Sequence, residues 1–230
     1  MLKAIIFDFN GVILDDEPLH FAAMREAVAA FGIDLTREAY WDRYLPMDDA
    51  GCLEAICRDN DVRLSDKQRK NALAHKVAAY DQLLQNRFPL FSGAARFIKS
   101  AVQRYPLAIA SGARREEIEA TLNTAGLDSL FTVIVAAEDF TRGKPHPESY
   151  LLALERLNAK IRQSPPILPG ECLVIEDSVA GIKGAQAAGM VCLAISNSYP
   201  GPMLSAANRI AASLEEVQVD SLRALFGEPA

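Results

Sequence analysis

Five short apolar runs set the rhythm of this chain, at residues 3–8, 106–110, 131–136, 172–176 and 190–195. Such brief runs read as strands buried on both faces. Segments with helical spacing lie between most of them. Ser92 is placed to cap a helix reaching about Arg104. Residues 114–125 are helical in pattern and stop at Gly126, a natural C-terminal residue. Residues 147–157 and 178–188 follow, the second ending at Gly189. Strands alternating with helices predict a parallel sheet with helices on both faces.

Residues 15–91 break the rhythm. They hold amphipathic helical stretches at 19–31, 50–60 and 65–84, with no strand pattern, and are bounded by Asp15-Asp16-Glu17-Pro18 and Pro89-Leu90-Phe91-Ser92-Gly93. The expected fold class is α/β: a Rossmann-like, doubly wound parallel sheet core (1–14 and 92–230) with an inserted helical domain (15–91). A free-standing helical binding domain is the alternative, but it would leave the run at 3–8 without its immediate partner.

Composition narrows the function. Half of the 230 residues are apolar and 23% are charged, ordinary for a globular enzyme with a core and a smaller insert. The net charge of −6 carries no electrostatic footprint for nucleic acid, so an anionic substrate needs a local cationic site. No apolar run reaches the ~18 residues of a membrane span. The N-terminal run is too short for a signal peptide and ends in an acid. A cytoplasmic monomer with neither nucleic-acid nor membrane partners is expected. Cys52, Cys57, Cys172 and Cys192 form no Cys-x-x-Cys pair, and His20, His75 and His146 lie far apart. They read as reduced structural thiols rather than a zinc site.

Ligands of open parallel sheets bind at the carboxyl ends of strands. The first strand ends in Asp8-Phe9-Asn10-Gly11, the second in Ser111-Gly112 and the fourth in Glu176-Asp177-Ser178, and Gly143-Lys144-Pro145 follows the third. Carboxylates from two strands can share a hard divalent ion such as Mg²⁺. Lys144 supplies a compact positive charge. Backbone N–H groups at Ser111, at a helix N-terminus, would suit an anion. A carboxylate beside a metal can attack phosphorus. Each group alone has an ordinary explanation: a helix cap or turn for Asp8, Ser111 and Glu176-Asp177, a solvated loop charge for Lys144. Their order and spacing favour a phosphate site.

Together these segments resemble the haloacid dehalogenase superfamily, over nearly the whole chain. The strings are Ala4-Ile5-Ile6-Phe7-Asp8-Phe9-Asn10-Gly11-Val12, Ser111, Gly143-Lys144-Pro145 and Ile175-Glu176-Asp177-Ser178-Val179-Ala180-Gly181-Ile182. The subgroup is that of β-phosphoglucomutase and related sugar-phosphate phosphatases. The resemblance implies Asp8 as nucleophile, Ser111 and Gly112 on the phosphate, and Lys144 balancing its charge. It implies a Mg²⁺ ion held by Asp8, Asp177 and the backbone carbonyl of Asn10, with Glu176 in or beside that shell. It makes the helical insert a mobile cap over the site. His20 matches a cap residue near the substrate, and Arg114 and Arg115 could add charge at its mouth.

Two departures matter. Most phosphatases of the family carry an acid–base aspartate where this chain has Asn10, and an amide has no proton to exchange near neutral pH. His20 or Glu17 could stand in; deamidation of Asn10-Gly11 would restore a carboxylate. The mutase's phosphate-binding cap arginine falls near Met47-Asp48-Asp49, which is acidic. The expectation is therefore a Mg²⁺-dependent phosphatase of a small phosphorylated metabolite, a sugar phosphate among the candidates. A phosphomutase, or an impaired phosphate- and metal-binding homologue, is the alternative.

Overall fold

The computed structural model describes residues 1–45, 47–84, 89–162 and 164–228. Residue 46 and residues 85–88 of the expected insert lie outside them. The chain divides into two compact units, Met1–Asp15 with Pro89–Ala230, and Asp16–Phe88. The two strands of chain that leave and re-enter the larger unit are stitched to each other. Asp15 N–H donates to Pro89 O and Phe91 N–H to Ile13 O, and Leu14 bridges Leu90.

The larger unit is built on six strands: β1 (Ala4–Phe7), β2 (Leu107–Ala110), β3 (Val133–Val135), β4 (Cys172–Glu176), β5 (Val191–Ile195) and β6 (Arg209–Ala211). They pair in the order β3-β2-β1-β4-β5-β6, all parallel. This is the doubly wound order in which the strand sequence reverses beside β1 and opens a crevice at its carboxyl end. Every residue of β1, β2 and β4 is buried, which is why they read as continuous apolar runs. β6 has no counterpart in the sequence pattern. It is a three-residue edge strand in which only Ala211 is buried.

The smaller unit is helical. It contains α1 (Glu17–Ala29), α2 (Arg37–Ala39) running into a π-helical turn (Tyr40–Tyr44), α3 (Asp49–Asp59) and α4 (Asp66–Leu84). Its core gathers Met24, Val28, Ile33, Tyr40, Leu53 and Ile56. Thr36 accepts from Ala39 N–H, and Asp48 from Gly51 N–H at 2.7 Å. Ser65 and Gln68 cap α4 reciprocally.

Four helices cover the sheet: α5 (Ala94–Ala101), α6 (Arg115–Ala125), α7 (Glu148–Ile161) and α8 (Val179–Ala187). Ile6, Val174 and Cys192 pack in one cluster with Tyr150, Leu154 and Leu157 of α7 and Ile182 of α8. Phe7, one position on and so on the opposite face, meets Phe97 of α5 edge-on. Ser92 does not cap α5. The cap position is Gly93, at φ +81°, and Ser92 Oγ donates to Glu215 instead. The helix ends at Ala101, short of Arg104, whereas α7 runs four residues past its expected end, to Ile161. All four cysteines are buried and unpaired. No helix among the described residues is long and apolar enough to cross a membrane.

Candidate active site

Sheet register assembles the site. Phe7 pairs with Ile109 on one side and Ile175 on the other. The residues that follow, Asp8, Ala110-Ser111 and Glu176-Asp177, therefore leave the sheet side by side. Asp8 N–H donates to Ile175 O and Ser111 N–H to Val135 O, which fixes both turns.

Lys144, on the loop between β3 and α7, bridges the acids. Its Nζ lies 2.8 Å from Asp8 Oδ1 and 2.6 Å from Glu176 Oε1. Glu176 is fully buried and saturated. Its Oε1 also accepts from Tyr150 OH at 3.0 Å. Its Oε2 accepts from the N–H groups of Asp177 and Ser178, at 2.8 and 2.7 Å, and from Ser178 Oγ. A glutamate with this many donors anchors the lysine and the β4–α8 turn. Ser178 also caps α8 through Gly181 N–H.

Burial shapes the titration of the cluster. It would raise Glu176, but Lys144 and the donors hold Glu176 down to about 2. Asp8 goes the other way: burial, helped by the charge of Glu176, outweighs Lys144 and pushes Asp8 up to about 7. Asp177 is pushed well above the usual carboxylate range by burial and by both neighbouring acids. Lys144 is held above its ordinary value because its two carboxylates outweigh burial.

The donor set fits a divalent cation. Asp8, Glu176 and Asp177 each bring an oxygen to a point where all lie within 4.8 Å of one another. Lys144 pairs with Asp8 and Glu176, and the raised Asp8 and Asp177 are the acids whose ionised forms a hard cation would favour. Hard oxygen donors suit Mg²⁺, to which Asp8 and Asp177 are the more open, since Glu176 is already committed.

The remaining expected residues fall as follows. Ser111 is buried but not at a helix N-terminus; Gly112, Ala113 and Arg114 intervene before α6. Its Oγ accepts from Ala113 N–H at 3.1 Å, so its own hydrogen is not spent on that bond. Gly112 and Arg114 are exposed on this loop, Arg114 as the backbone cap of α6. Arg115 turns away, to Asp139 and the Ile134 carbonyl. Asn10 donates from Nδ2 to Glu117 Oε1 on α6 at 3.2 Å.

His20 and Glu17 belong to the helical unit. Lys76 Nζ lies 2.6 Å from His20 Nδ1 and 2.9 Å from Asp49 Oδ2. An ammonium only donates, so Nδ1 accepts and Nε2–H points to Asp16, 3.2 Å away. Tyr80 stacks on His20 and donates to Asp16. Glu17 accepts from Tyr40 OH at 2.6 Å, and burial raises its carboxyl. The acidic pair at 48–49 is thus spent on a helix cap and on Lys76.

Four site residues have no place in the sequence pattern. Tyr150, on Glu176, and Glu117 are two. The others are Asn197 and Ser198, on the turn after β5: Asn197 Nδ2 donates to Gly11 O at 2.7 Å and Ser198 Oγ to Asp177 Oδ2. The polar string Ser196-Asn197-Ser198 directly after an apolar strand was the available signal.

Residues 2–189 match the family of haloacid dehalogenase-like hydrolases. The chain belongs to this family. Among dehalogenase-like relatives, a phosphorylated carbohydrates phosphatase of Thermotoga maritima is 31% identical over 190 residues, covering 82% of each chain. The fructose-1-phosphate phosphatase YqaB of Escherichia coli is 31% identical over 191 residues, covering 81% of this chain and 92% of its own. The crystal structure of β-phosphoglucomutase from Clostridium difficile superposes with a TM-score of 0.73 at 22% identity, covering 99% of this chain and 98% of that one. That likeness is one of fold.

Proposed function

We propose that this dehalogenase-like hydrolase is a Mg²⁺-dependent phosphatase of small phosphorylated metabolites, of the sugar-phosphate class, working through a phosphorylated Asp8. The observation that carries this reading is Lys144 held between Asp8 and Glu176 beside Asp177 at the crevice of the sheet. The phosphatase names of two relatives that match most of the chain support it. The cation, bound by Asp8, Asp177 and the Asn10 carbonyl, would balance the charge of the transferring phosphoryl group.

The protein's own groups divide the work. Lys144 orients Asp8 through Oδ1 and neutralises phosphate charge. Ser111 donates its hydroxyl hydrogen to a phosphate oxygen. An Asp8 oxygen attacks phosphorus, the ester P–O bond breaks, and the departing alkoxide takes a proton. Water then attacks the phosphoryl-aspartate, gives up a proton, and phosphate leaves with Asp8 restored. Asn10 can serve neither transfer. Glu117, hydrogen-bonded to the Asn10 amide, is the carboxylate we assign to both, directly or through one water.

The test is hydrolysis of a panel of phosphate esters with Mg²⁺ by the wild type and Asp8→Asn. Phosphate release by the wild type that vanishes in the variant is expected. A wild type indistinguishable from the no-enzyme background would leave the impaired, ligand-binding homologue as the better description.

A further inference from the structure

Asp177 and Gly11 are both gripped by a turn that neither the family strings nor the proposed chemistry uses. Ser198 Oγ donates to Asp177 Oδ2, and Asn197 Nδ2 donates to Gly11 O at 2.7 Å. The turn follows β5, which pairs with β4 through Ile175–Leu193 and Glu176–Ala194. It is thus held by the sheet beside the strand end that carries Asp177. Ser198 Oγ would sit only 2.9 Å from a Cβ placed on Gly11, and Asp177 Oδ2 only 1.9 Å. Gly11 has φ +74°, a conformation that side chains disfavour as well. The Asp8-to-Gly11 turn, Asp177 and the β5 turn therefore interlock, and the contact leaves no space for another side chain.

We infer that Ser198 and Asn197 are positioning residues for the cation site: Ser198 commits one oxygen of Asp177 so that the other faces the ion, and Asn197 fixes the turn behind Asp8. This rests on the reading of Asp8 and Asp177 as cation ligands. An aspartate held through one oxygen offers the other in a fixed orientation, which would suit an ion as exacting about ligand placement as Mg²⁺. Groups that orient ligands in this way contribute about 10–100-fold to metal affinity. Neither residue touches substrate in this account. Both act through the group they hold.

Direct binding of Mg²⁺ by calorimetry, and of Mn²⁺ by electron paramagnetic resonance, tests the role without any turnover. Ser198→Ala should weaken both ions by about 10–100-fold, while Ser198→Thr, which keeps the hydroxyl, stays within a few-fold of the wild type. Asn197→Ala should weaken them less, because the carbonyl it holds is one residue removed from that of Asn10. Asp177→Asn is the reference that should abolish binding. Wild-type affinity in Ser198→Ala alongside lost affinity in Asp177→Asn overturns the positioning role alone. Wild-type affinity in Asp177→Asn overturns the cation site, and this role with it.

Discussion

Glu117 accepts a hydrogen bond from the Asn10 amide at 3.2 Å. The carboxylate missing from position 10 is therefore present one hydrogen bond away, in the first turn of a neighbouring helix. An amide–carboxylate pair can be written in either direction, and this chain has the carboxylate on the α6 side.

Glu117→Gln should lower kcat by about 10²–10⁴, the ordinary worth of a general acid–base group, with Mg²⁺ affinity and KM little changed. The reciprocal double variant, Asn10→Asp with Glu117→Gln, should recover most of the loss. Steady-state kinetics of the variants checks both. A Glu117→Gln enzyme with wild-type kcat would remove Glu117 from the proton steps.

Lys144→Met leaves Asp8 and Glu176 buried without their shared cation. Removing one partner of a buried ion pair costs about 3–5 kcal/mol. Urea unfolding at neutral pH should show a loss of that size, and turnover should fall with it. Stability close to wild type would mean that the two acids are relieved by some other group.

The site should also set how Mg²⁺ stabilises the fold as pH changes. Asp8 is raised to about 7 and Asp177 is raised too, mainly by burial. Raised carboxyls favour the protonated folded form. Both contributions are complete below the ordinary carboxylate range; that of Asp8 is lost as pH climbs through about 7, and that of Asp177 is lost above the ordinary carboxylate range. Mg²⁺ binds the deprotonated acids and competes with those protons. The rise in Tm on adding Mg²⁺ should therefore widen between about pH 5 and about pH 8. A constant or narrowing difference would contradict the titration of these two groups.

Gly181 lies against the anchor. A Cβ there would come within 1.7 Å of Glu176 Oε1, the oxygen that holds Lys144. Gly181→Ala should cost about 1–3 kcal/mol by overpacking and displace Glu176. Gly112→Ala meets nothing within 4 Å and should leave Tm unchanged. Thermal unfolding of the pair separates a steric effect at Glu176 from a general cost of losing glycine.

The strands that read most clearly from sequence were those buried on both faces, since burial on both sides makes an apolar run. β6 did not read, because Arg209 is half-buried, Ile210 is exposed and three residues carry no period. Asp8, Glu176 and Asp177 stood out because parallel register brings neighbouring strand ends together, and Lys144 because it follows β3 in the same series of loops. Ser111 was expected at the helix start, but three residues separate it from α6, and nothing in Ser111-Gly112-Ala113 sets that length. Glu117 is a helix-face glutamate among others, Glu116 and Glu119. Only the folded placement of α6 against the Asp8 turn distinguishes it.

In the proposed reaction, phosphate passes through Asp8. Rapid acid quenching of the wild type during turnover, followed by borohydride reduction and peptide mapping, measures it directly. A phosphoryl group on the intact protein and conversion of residue 8, and no other aspartate, to homoserine are expected. Steady turnover with no modification at Asp8, and activity surviving in Asp8→Asn, would contradict it.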